Sequence, residues 1–411
     1  MLGIYLKNSV SIGYKSKLER HFWKQDFQNI IHMSYGKIRM YLNTHVSILY
    51  VIFKQGEYMK LTKVLGTLGL VAALAISASA AEKKVHWTLA TTWGPTLVPF
   101  TSAVHNMADM VEKMSGGNFT IRVDASNKHK APFGVLDMVK MGQYEMGHSA
   151  SDYWKGKDIN LMFLTTRPFG MTAPEQYAWF YYGGGMELME KAYASHKVLS
   201  FPGGNTGAQM GGWFRKEIKT LDDLKGLKMR IPGFAGEIMS KLGVTVTNIA
   251  PGELYTSLER GTIDALEWVG PGMDINMGFN KIAPYYYTGW QEPATELQFL
   301  VNTKKWKSLS DKNQEILRVA MRLAAYDMYI QNYHLSSEAW AKISSDYPNI
   351  KIKTFSKPIM DAMKAADKEL LAEKVKGHPL LKEIVDSQDA YLKKVREWTK
   401  MSDYLYLKDN L

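Results

Sequence analysis

The stretch that most constrains this chain lies near its C-terminal end, where the residue pattern predicts a single helix over 311–346 with Ser310 as its N-cap. At 1.5 Å of rise per residue such a helix is roughly 54 Å long. That is more than one ordinary domain needs, and a rigid rod of this length suits an element shared by two lobes. The chain's 411 residues agree, because they exceed what one hydrophobic core usually fills.

Upstream of the rod, strands and helices alternate. Val85 to Thr91 reads as a buried strand, Trp93-Gly94-Pro95 turns the chain, and Phe100, Val104, Met107, Val111 and Met114 recur at helical spacing. A second strand follows at Phe119 to Val123, a short helix between Gly134 and Gly142, and a third strand from Tyr144 to Ala150. This order predicts an α/β fold with a parallel sheet and crossover helices. Ser151-Asp152-Tyr153-Trp154 then lies just past a strand end, where such sheets place ligand loops. Tyr153 and Trp154 there either face a ligand or pack the sheet edge. Gly183-Gly184-Gly185 lacks the Gly-Lys-Ser/Thr of a phosphate loop and reads as a plain connection. Beyond the rod, Pro358 to Leu411 predicts further amphipathic helix, broken around Gly377-His378-Pro379.

The formal charge of +11 suggests a nucleic-acid or membrane surface until it is divided along the chain. Residues 1–58 hold eight Lys/Arg against three Asp/Glu, residues 59–81 add two lysines, and only +4 remains for the rest. Nucleic-acid binding thereby loses its main support. Residues 59–81 have the order of a secretory signal: Lys60 and Lys63, an apolar run from Val64 to Ile76, then Ser77-Ala78-Ser79-Ala80-Ala81 as a cleavage site. A signal belongs at the start of a protein, so translation is expected to begin at Met59 and residues 1–58 to be a misassigned leader. The chain has no cysteine, which excludes disulfides and thiolate metal sites. Its ten histidines form no close metal-ligand pattern.

The chemistry concentrates between Gln209 and Glu292. Arg230 ends an expected strand, Leu227 to Ile231, just before Pro232-Gly233, where its planar fork of donors can grip a carboxylate or make a surface ion pair. Glu267 ends another, Ile263 to Leu266, among apolar neighbours, so its carboxylate needs a cation. That cation is either Arg230 or a bound metal ion. Oxygen donors from Glu267, Glu292, the Gln209 side chain and backbone carbonyls suit a hard ion, Na⁺ or Ca²⁺.

Four segments carry a resemblance: Gln209-Met-Gly-Gly-Trp-Phe, Leu227-Lys-Met-Arg-Ile-Pro-Gly, Ile263-Asp-Ala-Leu-Glu-Trp-Val-Gly-Pro and Tyr286-Tyr-Thr-Gly-Trp-Gln-Glu-Pro. They resemble the substrate-binding proteins of TRAP transporters, in the branch that takes 2-oxo or 2-hydroxy monocarboxylates with a metal ion. The likeness runs from about Lys84 to the C-terminus. It implies a two-lobed periplasmic binding-protein fold with a hinge and a long shared helix, lobe I from 84–208 plus about 297–335, lobe II from 209–296 plus about 336–411. It also implies a small organic acid as ligand, Na⁺ or Ca²⁺ as cofactor with Na⁺ favoured, a membrane permease as partner, and a homodimer through C-terminal helices. By the same likeness Arg230 clamps the carboxylate and Tyr153 contacts the substrate. Gln209 and Trp268 touch substrate and metal, and Glu267 and Glu292 complete the metal set. Either Gln291 or Glu292 could take that last position; the carboxylate is the better ligand for a hard cation. Hinge positions are expected at the connections near Pro202-Gly203-Gly204 and Glu292-Pro293.

Two other classes stay open on the residues alone. A periplasmic enzyme could use Glu267 and Glu292 as an acid/base pair, although no nucleophile–base arrangement accompanies them. A sensing module could present the same cleft to a receptor.

Overall fold

Eleven strands in two sheets, with helices packed on them, make up residues 83–411, which are those the computed structural model describes. The segments read above as a leader and a signal lie outside the described residues. The first sheet contains β1 (Val85–Thr91), β2 (Phe119–Asp124), β3 (Met146–Ser149), β4 (Val198–Asn205) and β10 (Glu296–Asn302), in the order β2-β1-β3-β10-β4. The second contains β5 (Gly212–Phe214), β6 (Lys228–Arg230), β7 (Thr245–Thr247), β8 (Ala265–Leu266), β9 (Tyr285–Tyr287) and β11 (Lys351–Lys353), in the order β11-β9-β5-β8-β6-β7.

The expected parallel pairing holds for β1 with β2 and with β3. It fails for β10, which is antiparallel to both β3 and β4. The strand–helix–strand order of the N-terminal part speaks only for strands joined by local crossovers, whereas β10 returns from the second sheet and enters the first the other way round. All seven of its residues are buried, so its polar side chains need partners inside. Gln298 donates to the Leu164 carbonyl and accepts from the Tyr193 hydroxyl. Glu296 accepts from the N–H groups of Gly203 and Gly204 and from the Asn205 amide.

Pro202-Gly203-Gly204, expected as a connection, lies inside β4 opposite a register shift at Leu297/Gln298. The glycine is there for close approach: a Cβ on Gly203 would stand 2.7 Å from the Phe299 nitrogen.

The helix over Phe100–Met114 buries Phe100, Ala103, Val104, Met107, Ala108 and Val111 on one face. Met114 departs from the pattern and is exposed, because it is the last residue of the helix and the chain turns at Ser115. The rod is observed over Asp311–Asp346, 36 residues, with Ser310 Oγ accepting from the Asn313 N–H. Its Leu317, Ala320, Met321 and Ala324 pack with Leu89, Phe299 and Val301 of the first sheet. Met328 still lies against Gly204 of β4, but further along Leu335 and Ser336 pack on Gly272 of the helix Pro271–Met277, and Ile343 joins the core that holds Trp213, Leu266 and Tyr286 of the second sheet. The element is therefore shared, as its length requires.

Within the first sheet, Trp93 Nε1–H donates to His148 Nδ1 at 2.7 Å, and His148 Nε2 bonds the Gly203 carbonyl at 2.9 Å. Burial lowers the His148 pKa to about 4, against the opposing pull of that carbonyl. The unfolded imidazole titrates near 6.5, so below that pH the unfolded chain binds a proton that the native chain refuses. Stability tied to His148 is whole above pH 6.5 and drains away as pH falls toward 4, by about 3 kcal/mol. Asp152 and Asp274, each raised to about 6 by burial, act in the opposite sense. The comparison that isolates the histidine is urea unfolding of wild type and His148→Gln. The stability advantage of wild type at pH 7 should shrink by about 3 kcal/mol at pH 4; a pH-independent difference would contradict this account.

Candidate functional site

Segments at the strand ends of both sheets converge on a small cavity. Its lining includes Asp152, Tyr153, Gln209, Arg230, Glu267, Trp268, Glu292 and Thr295, with Trp93, Phe100 and Leu297 among its apolar members. All six residues singled out in the sequence thus face one space. Trp154, left open above, does not join them; it is buried in the core with its indole on the Phe133 carbonyl.

Arg230 stands where β6 ends, and it is 1% exposed. Its Nη1 donates to the Glu267 carbonyl at 2.7 Å and to Glu267 Oε2 at 3.1 Å, while Nη2 has no hydrogen-bond partner. The turn that carries Glu267 and Trp268 is fixed by Asp274, a residue the sequence reading missed. Its Oδ1 accepts from the Val269 and Gly270 N–H groups, and its Oδ2 from Trp213 and Tyr286. An acidic residue in the first turn of the helix after Gly270-Pro271 was the local signal for it.

Gln209 is oriented by proton counting. Thr295 gives its hydroxyl proton to Glu292 Oε2, so it must accept from Gln209, and the amide therefore turns Nε2 toward Thr295 and Thr206. Gln209 Oε1 is left buried without a donor, as is Glu267 Oε1. Gln291 is engaged elsewhere, with its amide on the Met210 carbonyl and its oxygen on the Trp290 N–H; Glu292 is the residue of the pair that lines the cavity.

Charge is unbalanced here. Asp152, Glu267 and Glu292 are all buried against one guanidinium. Burial pushes the Glu267 carboxyl well up, and the neighbouring Glu292 adds to this against the pull of Arg230. Glu292 is raised to about 8 by burial, with the Asp152 charge adding to it. Carboxylates crowded this way either take up protons or share a cation. The unsatisfied atoms of the lining sort by type: Arg230 Nη2 and Trp268 Nε1 are donors wanting an anion or other acceptor, and Asp152 Oδ1, Gln209 Oε1 and Glu267 Oε1 are acceptors wanting a cation or a donor. Among the described residues no three carboxylate or imidazole side chains form a metal cluster by themselves. An ion held here would accordingly draw on the Gln209 amide oxygen, a backbone carbonyl and the ligand's own oxygens, a donor set that fits a hard cation.

The cavity is narrow, about 20 Å³ in volume. It is closed on one side by the turn after β3. Lys155 Nζ crosses to the Gly233 carbonyl at 2.7 Å and to Glu237 at 3.0 Å, on the helix Gly233–Lys241. Asp152 packs against Gly233 itself, whose φ of +64° and lack of a Cβ allow the approach.

A family model described as bacterial extracellular solute-binding protein, family 7, matches residues 89–377. A monocarboxylate 2-oxoacid-binding periplasmic protein of Nostoc sp. (strain PCC 7120) is 40% identical over 331 residues, 80% of this chain and 90% of its own. Among solved structures, a TRAP periplasmic solute-binding protein from Pseudoalteromonas atlantica T6c with bound sodium and pyruvate is 62% identical at a TM-score of 0.79, covering 79% of this chain and 99% of its own. One from Colwellia psychrerythraea with bound calcium and pyruvate is 60% identical at the same TM-score, covering 80% and 100%.

Proposed function

Since the chain belongs to the bacterial extracellular solute-binding proteins of family 7, the solute receptors of TRAP transporters, we propose that it captures a small 2-oxo or 2-hydroxy monocarboxylate, pyruvate or lactate in size, together with Na⁺ or Ca²⁺. It then delivers the acid to a membrane permease from the periplasm, which it reaches through the signal segment at 59–81. The observation that carries this reading is the pairing of an unsatisfied guanidinium nitrogen with three unsatisfied acceptor oxygens, on Asp152, Gln209 and Glu267, in one small buried cavity. A carboxylate and a cation entering together satisfy both kinds at once. Arg230 holds the carboxylate and Tyr153 and Trp268 flank it. Gln209, Glu267, Glu292 and the Trp268 carbonyl hold the ion, which supplies positive charge to the crowded carboxylates and to the acid's own oxygens. The two relatives seen with pyruvate carry a cation of either kind, in keeping with a site that selects hardness rather than one element.

The reading is tested by mass spectrometry of the purified protein before and after addition of pyruvate with Na⁺ or Ca²⁺. A small carboxylic acid should be released on denaturation and the added pyruvate recovered chemically unchanged. Turnover would favour the acid/base role of Glu267 and Glu292, and absence of binding to any 2-oxo or 2-hydroxy acid would remove the receptor reading.

A second copy of the chain is the proposed partner for the rod. Val319, Leu323, Tyr326, Ile330 and Tyr333 are all exposed at alternating spacings of four and three, which puts them in one apolar seam of the kind that pairs helices. Trp398, Met401 and Tyr404 add exposed apolar surface near the C-terminus. Sedimentation at micromolar concentration should return the dimer mass for wild type and the monomer mass for Leu323→Glu with Ile330→Glu. A monomer in both would exclude the dimer.

A further inference from the structure

Trp93 belongs to the cavity wall, and through it the wall is tied to a part of the fold that does not line the cavity. Its ring lies 4.6 Å from that of Phe100 and 6.4 Å from that of Tyr153, both of which also line the cavity. Its indole N–H donates to His148 Nδ1, and His148 Nε2 meets the Gly203 carbonyl. The proton positions are forced. An indole N–H only donates and a carbonyl only accepts, so His148 is neutral with its hydrogen on Nε2. His148 sits in β3 and Gly203 in β4, which are separated by β10, and the imidazole spans that gap against the Phe299 ring at 4.7 Å. Trp93 and His148 are both fully buried. With no water to replace a missing acceptor, an indole deprived of His148 turns to find one, and the cavity wall turns with it.

On the proposed receptor reading, we infer that His148 is a positioning residue for the ligand: by fixing the plane of Trp93 it sets the room at the apolar end of the acid and restricts the receptor to short chains. The same link joins that wall to β4 just before the chain leaves the first sheet, so the wall and the crossing strand hold each other in register.

The experiment is calorimetry with pyruvate and with 2-oxohexanoate in excess Na⁺, on wild type, His148→Leu, His148→Gln, Trp93→Phe and the double variant Trp93→Phe with His148→Leu. Wild type should prefer pyruvate. His148→Leu should lower pyruvate affinity about tenfold, as one buried hydrogen bond is worth, and reduce the preference for pyruvate over the longer acid. His148→Gln, whose amide can accept at one end and donate at the other, should restore most of both. Trp93→Phe should reproduce the loss, and adding His148→Leu to it should change nothing further, because the two act through one N–H. A wild-type acid preference in His148→Leu, or additive losses in the double variant, would overturn the inference while leaving the receptor reading intact. If wild type binds neither acid, the receptor reading itself falls, and this inference with it. Should His148→Leu fail to fold, Trp93→Phe with an unchanged preference is enough to overturn it.

Discussion

Arg230→Ala should weaken acid binding by about 30-fold to several thousandfold, the equivalent of about 2–5 kcal/mol for stranding a buried charge without its partner. The ligand's carboxylate is that charge. Arg230 Nη1 also holds the Glu267 carbonyl and its Oε2, so the variant should lose stability as well, by about 1–3 kcal/mol for buried acceptors left without a donor. Thermal unfolding without ligand measures that second loss separately, so that calorimetry can be done below the new midpoint. Arg230→Lys should recover part of the binding and no more. An ammonium can replace one of the two contacts to Glu267, but it has no second nitrogen fixed in the position of Nη2. Unchanged acid affinity in Arg230→Ala would remove the clamp from the proposal.

Stripping Na⁺ and divalent ions should weaken acid binding about 5- to 150-fold, the usual range of coupling between two linked ligands. Reciprocity is the stronger part of the test: the acid must tighten the ion by the same factor that the ion tightens the acid. Glu267→Gln should abolish the coupling more completely than it lowers affinity for the acid, because it removes the charge on the unpaired oxygen while sparing the Arg230 fork. Calorimetric titration of each partner in the presence and absence of the other gives both factors. If the acid binds equally well without any ion, the metal roles proposed for Gln209, Glu267, Trp268 and Glu292 are wrong, and Arg230 alone accounts for recognition.

Residues whose place in the cavity lining follows from their own turn were legible in the sequence. Arg230 before Pro232-Gly233 and Glu267 before Gly270-Pro271 announce strand ends, and strand ends of such sheets face the ligand. Tyr153 was legible for the same reason, and the rod through its length and its cap. Asp152 stands in the same turn as Tyr153 and lines the same cavity, yet nothing in its neighbours distinguishes a lining carboxylate from an exposed one. His148 and Trp93 are 55 residues apart, and their link exists only after β3 and the turn behind β1 have come together. The glycines of β4 looked like a loop because close packing of β10 against them is contributed by residues almost a hundred positions away. What escaped, then, are the contacts made across the sheets.

The placement of β10 also bears on how the molecule comes into being. β3 is complete at Ser149, but its neighbour on one side does not exist until Glu296 to Asn302 has been made, and β4 waits for the same strand. The second sheet waits longer still, for Lys351 to Lys353. Loops of this size must be closed before any contact rewards them, which makes folding slow and late relative to synthesis. On the proposed route to the periplasm that delay is an advantage, since most of the chain's length can be threaded before either sheet is able to lock.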